Sequence, residues 1–367
     1  MKLAIVADWL TVFGGAEHAI AEFTHIWPDA PLFTSVSRKE KLGPLKNADI
    51  RTTYLQRWYK LLGNHQLLLN RMPRAFESID LEGFDVILSS SHAVAKGIIP
   101  PSSSVHICYC HTPMRYAWEM EDQYLQDFRV PKFLQKPIKK KLKQLRRWDL
   151  STAKRVDMFL ANSTETQRRI TMIYGRESIV IPPPADDRFF LEPLVPMSER
   201  TSFLAIGRLV PYKRFDLLIE LANTLRLPLQ IAGTGQEEAY LRRMAGPTVE
   251  FLGFVPDSEL PELYGHAKAI LFPQYEDAGI VPLEAQACGT PVIAYGKGGA
   301  LDAIKDHETG IFFSEQTTDS LAHAIGEWET ISFDPQHIRE HAKEFSASRF
   351  RERITKAVEE ARETFGN

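Results

Sequence analysis

The chain has 367 residues, of which 44% are hydrophobic and 25% charged, and its formal net charge at pH 7 is −3. This composition is that of an ordinary globular protein, and the small net charge gives no electrostatic reason to expect nucleic acid as a partner. The length exceeds what one hydrophobic core usually supports, so two domains are expected.

The first predicted strand, Leu3–Ala7, is a continuous apolar run, as is typical of a parallel strand buried on both faces. It is followed by a turn containing Gly14 and Gly15 that leads into a predicted helix. Paired glycines let the backbone approach a phosphate or a sugar, although a tight turn without a ligand explains them equally well. The turn lacks the G-x-G-x-x-G spacing, which argues against a nicotinamide dehydrogenase.

Further strands are predicted at residues 85–89, 105–110 and 158–161, and their alternation with helices indicates a doubly wound parallel sheet. The second of them ends in Cys108, Tyr109 and Cys110, followed by His111. Two cysteines beside a histidine suggest a metal site. However, the cysteines alternate along one strand and no second ligand pair follows, so we expect no metal. A histidine in this position is ordinarily structural.

A strongly basic stretch occupies residues 132–148 and carries an apolar stripe at helical spacing. One interpretation is a surface helix that packs its stripe on the sheet and exposes its cations. The alternative is a peripheral contact with anionic lipid headgroups at a membrane. The basic residues are Lys132, Lys136, Lys139, Lys140, Lys141, Lys143, Arg146 and Arg147, and the stripe consists of Ile138, Leu142, Leu145 and Trp148.

A proline run at residues 182–184 is typical of a linker between domains. After it, strands predicted at 203–206, 229–232, 250–252, 269–272 and 292–294 alternate with helices and indicate a second Rossmann-like unit. The first of these strands ends in Gly207, and the loop after it carries Arg208 and Lys213. Such cations can clamp a diphosphate, although basic residues at a loop–helix junction are usually solvated.

Glu276 and Glu284 lie eight residues apart, after a predicted strand that ends near Pro273. Glu276 falls on the loop and Glu284 in the first turn of the predicted helix. A carboxylate there commonly offsets the helix dipole, so Glu284 alone has an ordinary structural explanation. Glu276 is different, because a loop at the carboxyl end of a parallel strand is where open α/β sheets bind ligands.

This segment, from Phe272 to Tyr295, resembles the retaining glycosyltransferases of family 4, which have the GT-B fold. The string from His111 to Trp118 is similar to members that transfer mannose or related sugars from GDP-linked donors. The resemblance covers nearly the whole chain. It implies an α/β GT-B architecture, in which two Rossmann-like domains with parallel sheets face a central cleft.

The resemblance also implies the domain organisation. Residues 1–184 would form an N-terminal Rossmann-like acceptor domain, and residues 185–347 a C-terminal Rossmann-like domain for the nucleotide-sugar donor. A C-terminal helix from about residue 348 to 367 would pack back on the first domain.

In the family, the glycine loop near Gly14 and Gly15 faces the donor diphosphate, and a histidine matching His111 reaches the donor sugar. The resemblance assigns catalytic roles to His111, Glu276, Arg208 and Lys213, with the two cations on the diphosphate. It assigns the ribose hydroxyls to Glu284. The implied donor-binding set is Gly14, Gly15, Arg208, Lys213, Phe254, Val255, Glu276, Ala278, Gly279, Ile280, Val281 and Glu284.

The resemblance implies a hexosyltransferase that needs no cofactor and moves mannose from GDP-mannose to a saccharide or lipid-linked acceptor of the cell surface. Because the sequence has no Asp-x-Asp triplet and the cations Arg208 and Lys213 can serve where other transferases use a divalent metal, we expect the enzyme to be metal-independent. A transferase using UDP- or another nucleotide-linked sugar, an epimerase or phosphorylase of related fold, and a silent nucleotide-sugar-binding scaffold remain open. Three cysteines, no signal-like start and no apolar run of about 20 residues suit a cytoplasmic protein, with contact at the inner membrane face left open.

Overall fold

A computed structural model describes residues 1–118 and 131–366. The chain divides into two compact α/β units. Unit 1 comprises Met1–Pro182 together with the segment from Phe350 onward, and unit 2 comprises Pro183–Arg349. Each unit is built on its own parallel sheet, so the prediction of two α/β domains with parallel sheets is confirmed.

The sheet of unit 1 has seven strands in the order β3-β2-β1-β4-β5-β6-β7, and all neighbouring pairs are parallel. The order runs outward in both directions from β1 and β4, which makes that pair the topological switch point of a doubly wound sheet. The strands are β1 Leu3–Ala7, β2 Leu32–Thr34, β3 Ile50–Thr52, β4 Val86–Ser91, β5 Val105–Cys110, β6 Met158–Ala161 and β7 Ile179–Val180.

The helices of this part of the chain alternate with the strands, as parallel connections require. They are α1 Gly15–Ile26, α2 Leu55–Leu62, α3 Met72–Glu77, α4 Arg115–Trp118, α5 Lys132–Thr152 and α6 Thr164–Tyr174, with the last helix of the chain, α14 Ala347–Phe365, contributing as well.

One core of unit 1 lies where α14 packs with α1 and the sheet. Every residue of β1 is buried, in keeping with its unbroken apolar sequence. The rings of Phe23 and Phe350 stack with their centroids 5.8 Å apart, and Ile354 and Val358 complete the contact. Residues distant in sequence therefore share this core.

A buried ion pair stabilises a second region of unit 1. Nζ of Lys96 lies 2.6 Å from Oδ1 of Asp149, and both side chains are almost completely inaccessible to water. The other carboxylate oxygen of Asp149 accepts hydrogen bonds from Trp118 Nε1 at 2.7 Å and from Tyr174 OH at 2.9 Å. This network ties α5 to the segment after β4, to α4 and to α6.

The basic stretch forms most of α5. Its apolar stripe faces inward, because Leu142 and Leu145 are buried in the core and Trp148 packs against it. Lys140, Lys143 and most of the other cations are exposed, while the side chain of Lys132 lies outside the described part of the chain. These contacts are those of a surface helix packed on the sheet, and contact with a membrane stays a prediction.

Unit 2 repeats the same topology. Its six strands follow the order β10-β9-β8-β11-β12-β13, again with every neighbouring pair parallel. The switch point is therefore the pair of β8 and β11. The strands are β8 Ser202–Ile206, β9 Leu229–Ala232, β10 Val249–Gly253, β11 Ala267–Phe272, β12 Val292–Tyr295 and β13 Gly310–Phe313.

Helices cover both faces of this second sheet, whose central strands are correspondingly apolar. The helices are α7 Phe215–Leu225, α8 Glu238–Met244, α9 Leu260–His266, α10 Ile280–Ala287, α11 Ala300–Ala303, α12 Thr318–Glu329 and α13 Pro335–Ala342. Across the described ranges of the two units, no helix combines the length and apolar character needed to cross a membrane.

Candidate functional site

The switch point of unit 2 places two predicted site loops side by side. One loop follows β8 and contains Arg208 and Lys213, and the other follows β11 and contains Glu276. Because β8 and β11 are adjacent and parallel, both loops leave the same edge of the sheet. This is the position at which doubly wound sheets bind ligands.

Lys213 and Glu276 meet across this switch point. Nζ of Lys213 lies 2.9 Å from Oε1 of Glu276, with 12% and 24% of their side chains exposed. Gly207 has a φ of +148°, and a Cβ atom there would come within 2.9 Å of Lys213 Nζ. A side chain at residue 207 would therefore displace the lysine from its carboxylate.

Arg208 is exposed at the same loop. Its side chain has no hydrogen bond or ion pair to any residue within 1–118 or 131–366. The structure therefore brings Lys213 and Glu276 into contact and leaves the Arg208 guanidinium available to an anion on the same loop.

The loop from Glu276 to Gly279 is held by a second glycine turn that the sequence analysis missed. The N–H of Gly299 donates to the carbonyl oxygen of Glu276 at 2.9 Å. Gly298 has a φ of +70°, and a Cβ atom there would overlap that carbonyl oxygen. The signal was present as the glycine cluster at 296–299, directly after a predicted strand.

Helix α10 begins at Ile280, with Gly279 as its N-cap. The predicted donor-binding residues Ala278, Gly279, Ile280 and Val281 therefore surround a helix N-terminus. Backbone N–H groups in the first turn lack partners within the helix and can bind an anion or a hydroxyl oxygen.

The expected position of Glu284 in the first helical turn is wrong. The helix starts two residues before Pro282, because Ile280 and Val281 already adopt helical geometry, and Glu284 lies in the second turn. It is only 9% exposed, so offsetting the helix dipole at the surface does not explain it. A carboxylate buried at this depth requires a specific partner.

That partner is Tyr264 on α9, which the sequence analysis also missed. The hydroxyl of Tyr264 donates to Oε2 of Glu284 at 2.8 Å. Burial raises the pKa of Glu284 to about 7, and the hydrogen bond from Tyr264 and the charge of Arg188 partly oppose that increase. Glu284 therefore titrates near neutral pH, and its carboxylate form depends on the tyrosine.

Phe254 and Val255 follow β10 and line a different cavity, of about 550 Å³, between that edge of the sheet and α9. Phe254 is 74% exposed. The residues lining this cavity include neither member of the Lys213–Glu276 pair. Val255 also packs against the core cluster that contains Leu283 of α10.

In unit 1, Gly14 is the N-cap of α1 and Gly15 its first residue. The N–H of Gly14 donates to Oε2 of Glu17 at 3.1 Å, as in a capping box. Glu17 is largely buried, and this burial raises the pKa of its carboxyl group. The predicted glycine turn is thus the start of a helix at the carboxyl end of β1.

His111 is the first residue after β5. Its Nε2 lies 2.8 Å from Oγ of Ser90, and its backbone N–H donates to the carbonyl oxygen of Ser91. Burial, with a smaller contribution from the His92 imidazole, lowers the pKa of His111 to about 3. The ring is therefore neutral near pH 7 and can exchange hydrogen bonds with a hydroxyl but carries no charge.

Asp8 and His92 span the switch point of unit 1 and were not predicted as site residues. The buried carboxylate of Asp8 accepts hydrogen bonds from four successive backbone N–H groups, those of His92, Ala93, Val94 and Ala95, at 2.5–3.0 Å. Nδ1 of His92 lies 3.0 Å from the same carboxylate. Asp8 thus fixes the loop that presents His92 toward His111, whose ring centroid is 6.4 Å away.

A metal site was not expected beside His111. Cys108 and Cys110 are both buried in β5 as free thiols. Within the described ranges, no group of three or more histidine, cysteine, aspartate or glutamate side chains has the arrangement to hold a metal ion.

Both units and their strand order define the GT-B fold of glycosyltransferases. The crystal structure of Anabaena Alr3699/HepE in complex with UDP aligns with a TM-score of 0.72 and 16% identity over 98% of this chain and 100% of that one. Sucrose-phosphate synthase from Thermosynechococcus elongatus aligns with a TM-score of 0.69 and 16% identity over 98% and 99% of the two chains. At this identity the likeness establishes the fold alone.

The sequence of unit 2 is similar to a known family. Residues 188–345 match the model of the glycosyl transferases group 1. D-inositol 3-phosphate glycosyltransferase of Kribbella flavida is 31% identical over 49% of each chain. A GDP-mannose-dependent alpha-(1-6)-phosphatidylinositol monomannoside mannosyltransferase of Mycolicibacterium smegmatis is 31% identical over 45% of this chain and 51% of that protein. The chain spans about half the length of these curated relatives.

Proposed function

We propose that the protein is a retaining glycosyltransferase that moves a hexose from a nucleotide diphosphate sugar to a saccharide or lipid-linked saccharide acceptor. The observation that carries this proposal is the contact of Lys213 with Glu276 across the switch point of unit 2. A cation suited to phosphate and a carboxylate suited to sugar hydroxyls lie there side by side, as the junction of a sugar diphosphate requires.

In this proposal Lys213 and Arg208 bind the diphosphate, the lysine as a movable point charge and the arginine through its fork of N–H donors. Glu276 and the amides of Ala278 and Gly279 bind the sugar hydroxyls. Because Glu276 forms an ion pair with Lys213 at 2.9 Å, the donor phosphate competes with a carboxylate for that cation. The same contact keeps both side chains oriented toward the reacting junction.

Glu284 binds the ribose hydroxyls through the carboxylate form that Tyr264 favours. Gly14 and Gly15 contribute backbone near the diphosphate. His111 lies beside the donor sugar, and its neutral ring accepts or donates a hydrogen bond without adding charge.

The proposed reaction is a front-face substitution. The bond between the anomeric carbon and the diphosphate oxygen breaks, and its electron pair stays on the phosphate. The acceptor oxygen forms a bond to the same face of the carbon, and its proton passes to the leaving phosphate oxygen. Lys213 and Arg208 stabilise the charge that develops there, as preorganised cations do, and we propose that they serve without a divalent metal.

For the donor we propose GDP-mannose. This proposal is supported by the resemblance of the segment from His111 to Trp118 and by the GDP-mannose-dependent relative that is 31% identical over 45% of this chain. A UDP-sugar is the second candidate, since UDP is the ligand named for a structural neighbour of the same fold.

The test is donor binding and slow donor hydrolysis with GDP-, UDP-, ADP- and dTDP-sugars, with and without EDTA. We expect selective binding and EDTA-insensitive hydrolysis of GDP-mannose. Preference for another donor would reject mannose while retaining the transferase. Binding of a donor without any hydrolysis would favour the silent nucleotide-sugar-binding scaffold, and binding to none of the donors would reject the donor site itself. Glu276→Ala should abolish hydrolysis, whereas Glu220→Ala, at an exposed position on α7, should leave it unchanged.

A further inference from the structure

Unit 1 contains a polar cavity of its own, at the carboxyl ends of β2 and β3. Its volume is about 560 Å³, within the range of small-ligand sites. Ser37 lines it three residues after β2, Thr52 lines it as the last residue of β3, and α2 forms a further wall. None of the site residues described above contributes to it.

The cavity adjoins the glycine turn of unit 1 through backbone hydrogen bonds. The N–H of Arg38 donates to the carbonyl oxygen of Leu10 at 2.7 Å, and the N–H of Phe13 donates to that of Lys41 at 2.9 Å. One wall of the cavity is therefore fixed to the loop that ends at Gly14. A ligand bound in the cavity would lie at the same edge of the sheet as the predicted sugar-binding residues of this unit.

The charged residues lining the cavity are mainly basic. Arg38, Lys39 and Lys60 all line it, against the single carboxylate of Glu40. Their side chains are exposed, and none of the three cations has an ion pair or a side-chain hydrogen bond within the residues that the structure describes. Elsewhere on the surface several arginines are paired, as Arg242 is with Glu238. The cavity thus concentrates uncompensated positive charge.

Ser37 adds a buried hydroxyl to this cavity. The residue is only 8% exposed, and its Oγ has no hydrogen-bond partner in the described ranges. Both backbone polar groups of Ser37 are hydrogen-bonded to Gln56. The N–H of Ser37 donates to Oε1 of Gln56, and Nε2 of Gln56 donates to the carbonyl oxygen of Ser37. Buried polar atoms are rarely left unpaired, so the wall of the cavity contains a polar group that no described protein group satisfies.

We propose that the cavity binds the phosphate group of a phosphorylated acceptor saccharide. This inference rests on the proposed glycosyltransferase function and gives its acceptor a chemical class. Arg38 can bind phosphate oxygens through two N–H groups, and the lysines supply point charges at the rim. The phosphate could belong to a free sugar phosphate or to a lipid, since Trp58 and Leu61, on the same helix α2, are 48% and 77% exposed.

The experiment measures binding of four probes to the full chain by calorimetry. The probes are inorganic phosphate, glucose 6-phosphate, phosphatidylglycerol vesicles and phosphatidylcholine vesicles. The test variant is Lys39→Gln/Lys60→Gln, and Ser37→Ala is a second variant. The matched control is Arg57→Gln, which removes a cation from α2 at a residue that does not line the cavity.

We expect glucose 6-phosphate, phosphatidylglycerol vesicles or both to bind, and the double variant to weaken binding about tenfold or more, as the loss of charge-assisted bonds predicts. Binding should change less than about twofold in the control, whose cation is an exposed surface charge. Binding of glucose 6-phosphate alone would assign a free sugar phosphate, and binding of phosphatidylglycerol but not phosphatidylcholine would assign a lipid phosphate. Equal binding by the double variant, or no binding of any probe at millimolar concentration, would overturn the inference.

A parallel titration with GDP separates this inference from the proposed function. Lys213→Gln should weaken GDP binding and leave the phosphate probes unaffected, while Lys39→Gln/Lys60→Gln should do the reverse. If the unmodified protein binds the phosphate probes but no GDP, the proposed donor site is rejected and the proposed phosphate site in the cavity is retained. Retained GDP binding without any phosphate binding would reject the cavity alone.

Discussion

Nζ of Lys213 lies 2.9 Å from Oε1 of Glu276, so the cation that we assign to the donor phosphate already has an anionic neighbour. Each group reduces the local charge of the other. Removing the negative charge of Glu276 therefore has opposite effects on nucleotide binding and on turnover.

Glu276→Gln should bind free GDP about three- to tenfold more tightly, because Lys213 no longer interacts with a carboxylate. Its turnover should fall by about 10²-fold or more, because the sugar loses its charged partner in the transition state. Calorimetry and a donor hydrolysis assay measure the two effects. Glu250→Gln, on β10, is the control, and turnover close to that of the unmodified protein would refute the role of Glu276.

Tyr264→Phe should shift the pH dependence of donor use. The tyrosine hydroxyl stabilises the carboxylate form of Glu284, whose pKa is about 7, so its removal raises that pKa further. In the role that we propose for Glu284, protonation weakens the carboxyl group as an acceptor for the ribose hydroxyls, so kcat/KM should fall as the pH drops through this pKa. The acid limb of the kcat/KM profile should therefore lie at higher pH in the variant. The difference in kcat/KM between the variant and the unmodified protein should be smallest in alkaline solution. An unshifted limb would mean that another group titrates.

His111→Asn should lower kcat without moving that acid limb. The pKa of His111 is about 3, so the ring is uncharged throughout the range in which Glu284 titrates. The expected loss is about 10- to 100-fold, the size of one hydrogen bond made more strongly in the transition state. A pH profile of kcat/KM tests this, and disappearance of the acid limb in His111→Asn would contradict the assignment.

Lys96→Met should destabilise unit 1. It leaves the carboxylate of Asp149 buried without its cation, and breaking a buried ion pair in this way costs about 3–5 kcal/mol. Chemical denaturation of the full chain measures the loss. Lys154→Met, at an exposed position nearby, should change stability by no more than about 0.5 kcal/mol. Equal stability of the two variants would show that the pair contributes nothing.

Much of the fold could be predicted because buried parallel strands have a simple pattern. The apolar runs of β1, β5 and β6 predicted their bounds as the structure has them. Strand β3 escaped notice because it is short and lies at the sheet edge, where Arg51 and Thr52 are exposed and no apolar run is needed. Strand β2 has only three residues, too few for a periodicity to emerge.

The predicted site residues came from loops with a recognisable local pattern, but their partners could not be found that way. Tyr264 precedes Glu284 by 20 residues and lies on another helix. Asp8 is 84 residues from His92, whose backbone N–H donates a hydrogen bond to its carboxylate. Asp8 meets His92 because the adjacent parallel strands β1 and β4 end at the same edge of the sheet, and Tyr264 meets Glu284 because helices α9 and α10 pack side by side. The burial that raises the pKa of Glu284 is likewise a property of packing and has no counterpart in the local sequence.

Phe23 and Phe350 pack in one core although they lie at opposite ends of the chain, and this affects how the protein folds during synthesis. Residues 1–182 of unit 1 leave the ribosome well before the residues from Phe350 onward are made. These later residues pack against apolar side chains of the first segment, as Phe350 does against Phe23. The nascent first half therefore waits, with the groove for Ile354 and Val358 open, while the whole of unit 2 is translated. Because domains generally begin to fold during synthesis, unit 2 can finish folding before unit 1. A chaperone that recognises apolar surface would find its target on the half of the protein that was made first.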